Sequence, residues 1–116
     1  MSLADEEYAY LTTRGRRTGA PHTVELWFSP VGTAVWFVAG GGTSSDWVAN
    51  LVADPSVTVR VGEHTFAGRA RTETGDAGDA GVARRLLASR YQGWEEGRPL
   101  SDWAAHGLAV AVDLEA

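Results

Sequence analysis

The 116-residue chain contains no cysteine and no lysine, and only one methionine and three histidines. Without cysteine there is no disulfide, no thiolate nucleophile and no Cys-type metal site. His22, His64 and His106 are scattered without ligand spacing, so no resident metal is expected. Without lysine there is no Schiff-base chemistry, and all ten basic residues are arginine, whose planar fork favours bidentate contact with oxyanions. No apolar run approaches membrane-spanning length, and the segment Met1-Ser2-Leu3-Ala4-Asp5-Glu6-Glu7 is acidic with no apolar leader core. A cytoplasmic protein with no integral membrane association is expected from this. The formal net charge of −5 argues against nucleic-acid or membrane-surface binding, which needs a broadly basic face. The length bounds the chain to a single domain, residues 1–116, with no repeat or linker.

Two stretches concentrate what the composition otherwise spreads thinly. Thr12-Thr13-Arg14-Gly15-Arg16-Arg17-Thr18-Gly19 places three guanidinium groups and two glycines in one turn between apolar runs. Gly40-Gly41-Gly42-Thr43-Ser44-Ser45-Asp46-Trp47-Val48-Ala49-Asn50-Leu51 is a glycine loop that feeds into a short helix. Backbone N–H groups in a glycine turn and at a helix start carry partial positive charge, and nearby arginines add full charges. Together they point to an anionic cofactor.

Period-two alternation dominates the remainder. Residues 22–28 place Val24, Leu26 and Phe28 on one face and Thr23, Glu25 and Trp27 on the other, which predicts a half-buried strand. Residues 34–39 form a continuous apolar run with Trp36 and Phe37, predicting a strand buried on both sides that pairs with the preceding one through the turn at Val31-Gly32-Thr33. Val57, Val59 and Val61 share a face, Phe66 and Ala70 follow the turn at Gly62-Glu63, and Leu108, Val110, Val112 and Leu114 mark the last strand. With residues 8–14 this makes six strands. One helix is capped by Ser45, carries Trp47, Asn50 and Leu51 on one side, and stops at Asp54-Pro55. A second spans residues 79–91, with Ala83, Leu86, Leu87 and Tyr91 as its apolar stripe. Residues 92–107 show no period. The expected fold is mainly β with two helices, as a six-stranded antiparallel barrel whose closure removes exposed edges.

Leu11 to Gly19, Leu26-Trp27-Phe28, the glycine loop, Trp47, Asn50-Leu51, Ala53, Pro55, Val57 and Val59 together resemble the deazaflavin-dependent nitroreductase family. The resemblance runs in order over residues 10–61. It implies a flavin-reductase-like split β-barrel of the FMN-binding type, and hydride transfer between coenzyme F420 and a small organic acceptor such as a quinone, nitroaromatic, enone or tetrapyrrole. The alternative cofactor is FMN. A non-catalytic module holding F420 or another small anionic aromatic is a reading from a second class, and a single-stranded nucleic-acid barrel a third, disfavoured by the charge. Flavin-binding split barrels generally complete their pockets at a dimer interface, so a homodimer is expected.

By the same resemblance, Arg16, Arg17, Thr18, Gly19 and His22 hold the phosphate and acidic tail of the cofactor, and Gly40, Gly41 and Gly42 let backbone approach the flat ring. Some family members carry a lysine in that loop; here it is missing, and Arg60 is one candidate replacement. Trp47 is either a core anchor or a cofactor contact. Asn50 either meets the cofactor or satisfies a neighbouring backbone group. Trp27 lies where family members place an aromatic against the ring system, although such a residue also suits a dimer contact. Tyr91 and Trp94 are expected to line the acceptor pocket, with Tyr91 as candidate proton donor and Tyr8 and His22 as alternative acids.

Overall fold

A computed structural model describes residues 5–115; the Met1-Ser2-Leu3-Ala4 portion of the acidic segment lies outside them. The alternation becomes an antiparallel sheet. Strand β1 (Ala9–Arg14) turns Ala9, Leu11 and Thr13 inward and pairs across the basic turn with β2 (Pro21–Leu26). Then come β3 (Ser29–Val31), β4 (Ala34–Ala39), β5 (Ser56–Val61), β6 (His64–Glu73) and β7 (Leu108–Leu114). Their order in the sheet is β2-β1-β5-β6-β7-β4-β3.

That order forces curvature. A flat sheet of seven strands would hold its edges about 29 Å apart at the usual strand spacing of about 4.8 Å. Yet the edge strands β2 and β3 are joined by Trp27 and Phe28 alone, a link that reaches at most about 11 Å. The sheet therefore curls until its edges approach, giving a half-barrel around Leu11, Phe28, Val35, Phe37, Val59, Val61, Val110 and Val112, each at most 1% exposed.

The same link corrects the strand expected over residues 22–28. The segment breaks at Trp27-Phe28: β2 pairs with β1, and the short β3 forms the hairpin with β4. Phe28 is fully buried at the corner, so its inward signal was read correctly while its strand was not. Strand β4 is buried at all six positions, as expected. Val35 and Phe37 enter the barrel, while Ala34 and Trp36 pack outward on Ala80, Ala83, Ala109 and Ala111.

Among the described residues there are thus seven strands and three α-helices, against six and two expected. Helix α1 (Asp46–Ala53) sinks Val48, Asn50 and Leu51. Helix α2 (Gly78–Gln92) buries Ala80, Gly81, Ala83, Arg84, Leu87 and Ala88. Leu86, expected on its apolar stripe, is 43% exposed, because the small residues set the contact line. Helix α3 (Asp102–His106) lies in the stretch without a period and is capped by Ser101, whose hydroxyl accepts from the Ala104 amide at 3.2 Å. No described helix is long and apolar enough to cross a membrane.

Candidate functional site

The turn between β1 and β2 is closed by its own backbone. The Gly15 amide donates to Ala20 O at 2.7 Å and the Gly19 amide to Gly15 O at 2.8 Å. The Thr18 hydroxyl accepts from the Ala20 amide at 3.2 Å. Gly15 has to be small: a Cβ there would sit 2.8 Å from His22 Nε2, so its absence lets the imidazole lie against the turn. Beside the turn opens a cleft of about 460 Å³ lined by Arg16, Arg17, Thr18, His22, Trp47 and Asn50, together with Asp46. Six sequence-nominated residues from two distant segments therefore meet in one place.

Their roles within it differ. Asp46 and Asn50 are four apart on α1 and so share a face, and both meet Arg16. The Arg16 guanidinium donates to Asn50 Oδ1 at 2.7 Å and to Asp46 Oδ1 at 3.3 Å. Asn50 in turn donates to the Thr13 hydroxyl at 3.2 Å. Trp47 is half-buried with its ring edge-on to Phe37, centroids 6.5 Å apart, so it anchors the core and walls the cleft at once. Arg14 pairs instead with Asp54 at 3.5 Å and, with Gly19, lines a separate groove. Arg60 lies over the Tyr10 ring at 4.2 Å, away from the glycine loop.

Gly40, Gly41 and Gly42 are not in this cleft. They line a second groove with Thr43, Thr74, Arg84 and His106. Gly40 is close-packed under Trp103, whose Cδ1 would be 3.0 Å from an added Cβ. Gly42 has φ +55°, which an L side chain rarely adopts. At the base of the groove Arg84 is 2% exposed. It donates to the carbonyls of Gly75, Ala104 and Gly107 at 2.8, 3.0 and 2.7 Å. Burial lowers its pKa, with Asp76 opposing; the three carbonyls satisfy the group and tie α2 to α3.

A third feature sits at the corner where the sheet edges meet. Trp27 stacks on Tyr91 with centroids 4.8 Å apart and planes within 7°, and meets Trp103 edge-on at 5.4 Å. A pocket of about 290 Å³ opens there, lined by Tyr8, Glu25, Leu26, Trp27, Val38 and Trp103, with Gln92. The Tyr91 hydroxyl donates to Glu7 O at 2.7 Å and receives the Phe28 amide at 3.4 Å. Burial is the main cause that raises its pKa above 10.0. Trp94 is apart from this group: its indole N–H closes a loop onto Arg98 O at 2.8 Å.

Sequence reasoning missed Asp46, Thr13 and Trp103 as site residues. Thr13 was discoverable as the polar residue on the inward face of β1. Trp103 carried no periodic signal, only the Ser101-Asp102 start of a short helix.

A curled antiparallel half-barrel of this strand order is the split-barrel fold. Solved structures of this fold include an F420-H2 dependent reductase, 21% identical, with a TM-score of 0.68 over 91% of this chain and 93% of its own. A conserved hypothetical protein from Mycobacterium tuberculosis is 21% identical, with a TM-score of 0.75 over 100% of this chain and 82% of its own. A structure described as a domain-swapped dimer is 22% identical, with a TM-score of 0.68 over 91% of this chain and 79% of its own. No curated protein matches the chain. The chain belongs to the F420H(2)-dependent quinone reductase family, which it matches over residues 2–101. It is an F420-dependent oxidoreductase, with coenzyme F420 as its cofactor.

The donor set of the basic cleft fits such a group. Arg17 makes no ion pair recorded among the described residues, and the one carboxylate in the cleft, Asp46, is already matched to Arg16. The cleft thus offers an uncommitted guanidinium to an anion.

Proposed function

We propose that the protein reduces a flat organic acceptor, of the quinone, nitroaromatic or enone kind, with the basic cleft anchoring the cofactor and the corner pocket receiving the acceptor. The observation that carries this reading is the course of β2. His22, Thr23 and Val24 line the basic cleft, and Glu25, Leu26 and, just beyond the strand, Trp27 line the aromatic pocket. One strand therefore links an anion-holding end to an aromatic end, over about 17 Å of extended chain. When bound, reduced F420 supplies the hydride.

The residues of this chain hold and orient. Arg17, Thr18 and His22 face the anionic tail, and Trp47 closes the side of the cleft. Trp27 and Trp103 present aromatic surface to a planar acceptor and exclude water from it. The Tyr91 hydroxyl has backbone acceptors within reach, Glu7 O at 2.7 Å and Phe28 O at 3.3 Å, so the reading gives Tyr91 the task of holding Trp27 by stacking. The half-exposed aromatic corner also suits the proposed homodimer, which light scattering of the purified protein would detect.

The experiment is acceptor-dependent oxidation of reduced F420, followed by recovery of the cofactor absorbance with a simple naphthoquinone as acceptor. Turnover is expected, whereas tight F420 binding without oxidation by the naphthoquinone would take the acceptor out of the quinone class. Trp103→Ala should raise KM for the acceptor about tenfold and leave the F420 affinity unchanged, since loss of an aromatic contact is worth roughly 0.5–1.5 kcal/mol beyond its area. An equal loss of cofactor affinity would move the pocket to the cofactor ring.

A further inference from the structure

Three arginines crowd one turn, yet the structure gives them unequal freedom. Arg14 pairs with Asp54 at 3.5 Å and faces another groove. Arg16 is held by α1 through main chain and side chain: its amide donates to Asn50 Oδ1 at 3.2 Å and its guanidinium to the same oxygen at 2.7 Å. Asp46 adds an ion pair at 3.3 Å. Arg17 is exposed and uncommitted among the described residues.

Asn50 is the hub of this arrangement. It is 4% exposed, and its amide N–H ends on the hydroxyl of Thr13, which is 1% exposed on the inward face of β1. Its oxygen accepts twice from Arg16 and one of its N–H groups is spent on Thr13, so a ligand donor could reach the oxygen only by displacing a bond whose loss leaves a buried polar group unsatisfied.

We infer that Asn50 is a positioning residue for cofactor binding: it fastens the basic turn to α1 and β1 through Arg16 and Thr13, so that Arg17, and not Arg16, meets the anionic end of the cofactor. The inference rests on the proposed placement of the cofactor tail in the basic cleft and divides the labour within it. A turn fixed in advance binds without the cost of ordering it at the moment of contact. The charge of Arg16 is balanced by Asp46, which leaves Arg17 to supply the attraction for an anion.

The test is F420 binding, read by quenching of tryptophan fluorescence over a series of salt concentrations, with Trp47 in the cleft as reporter. Arg17→Ala should weaken binding about tenfold and flatten its salt dependence, because a contacting charge is lost. Asn50→Ala should also weaken binding about tenfold, but with the salt dependence of the unaltered protein. In the ligand-free state Asn50→Ala should speed hydrogen exchange of the Arg16 amide. The double change Arg16→Met with Asp46→Asn removes the ion pair without altering net charge, on side chains that solvent already reaches. It should likewise weaken binding with unaltered salt dependence, and it decides the matter if Asn50→Ala unfolds. A salt dependence flattened by the double change as much as by Arg17→Ala would put Arg16 on the anion and overturn the inference. So would unaltered affinity in Asn50→Ala with faster Arg16 exchange. Failure of the unaltered protein to bind F420 would instead remove the proposed cleft reading on which the inference stands.

Discussion

Single residues in this protein take their meaning from the partner that folding assigns them. Asn50, nominated as a polar amide on an apolar helix face, does find a partner, but the partner is the basic turn, 34 positions away at Arg16. No local pattern encodes that pairing, since it depends on β1 and α1 being packed together. Tyr91 makes the same point through its hydroxyl, which bridges Glu7 O and the Phe28 amide. Its pKa is raised above 10.0 chiefly by burial, with the nearby Arg90 charge and the Phe28 backbone opposing. A raised folded value favours the neutral phenol in the native state, so the linked stability is in place below about pH 10 and falls as the unfolded tyrosine ionises first. Tyr91→Phe should lower stability by about 1 kcal/mol at neutral pH through the lost hydrogen bond. It should also flatten the decline as pH rises past about 10. Urea midpoints of both proteins across that range check it, and a decline as steep in the variant would place the titration elsewhere.

Among the elements, the strands whose alternation was clean were legible, and their ends were set by packing. Strand β4 was read as buried on both faces and is so, because the barrel takes Phe37 while α2 takes Trp36. Strand β2 stops at Leu26 although the alternation runs on to Phe28, since the chain must leave one sheet edge for the other there. Helix α2 was placed closely, but its buried line was set by small residues rather than by Leu86. Gly81 shows how tight that contact is: a Cβ would lie 1.9 Å from Asp76 O, a backbone atom that cannot step aside as a side chain does. Gly81→Ala should destabilise the protein by roughly 1–3 kcal/mol, the scale of overpacking, despite the better helix propensity of alanine. Thermal unfolding measures it, and a raised Tm would show that the start of α2 yields freely.

At the scale of the whole molecule, the two-residue link between opposite sheet edges decides the shape. Phe28 fills the corner with no exposed surface, its carbonyl accepts from the Arg90 guanidinium at 3.2 Å, and that guanidinium lies over its ring at 4.7 Å. Phe28→Ala should cost about 3–5 kcal/mol, and it should also loosen the aromatic pocket, since Trp27 is its chain neighbour. Urea unfolding reads the first effect and acceptor KM the second; a loss below about 1 kcal/mol would mean that the corner collapses without harm. The sequence by itself determined the strand-rich class, the basic turn, the glycine loop and the ordered resemblance that led to an F420-dependent split barrel, because alternation, turn chemistry and motif order are local properties. Only the tertiary structure decided that the basic turn and the glycine loop line different grooves, that Trp103 rather than Trp94 joins Trp27, and that, among the described residues, Arg16 is paired and Arg17 is not. Those outcomes depend on which segments the curled sheet brings within a few ångströms, and contact between distant segments leaves no periodic trace in a single chain.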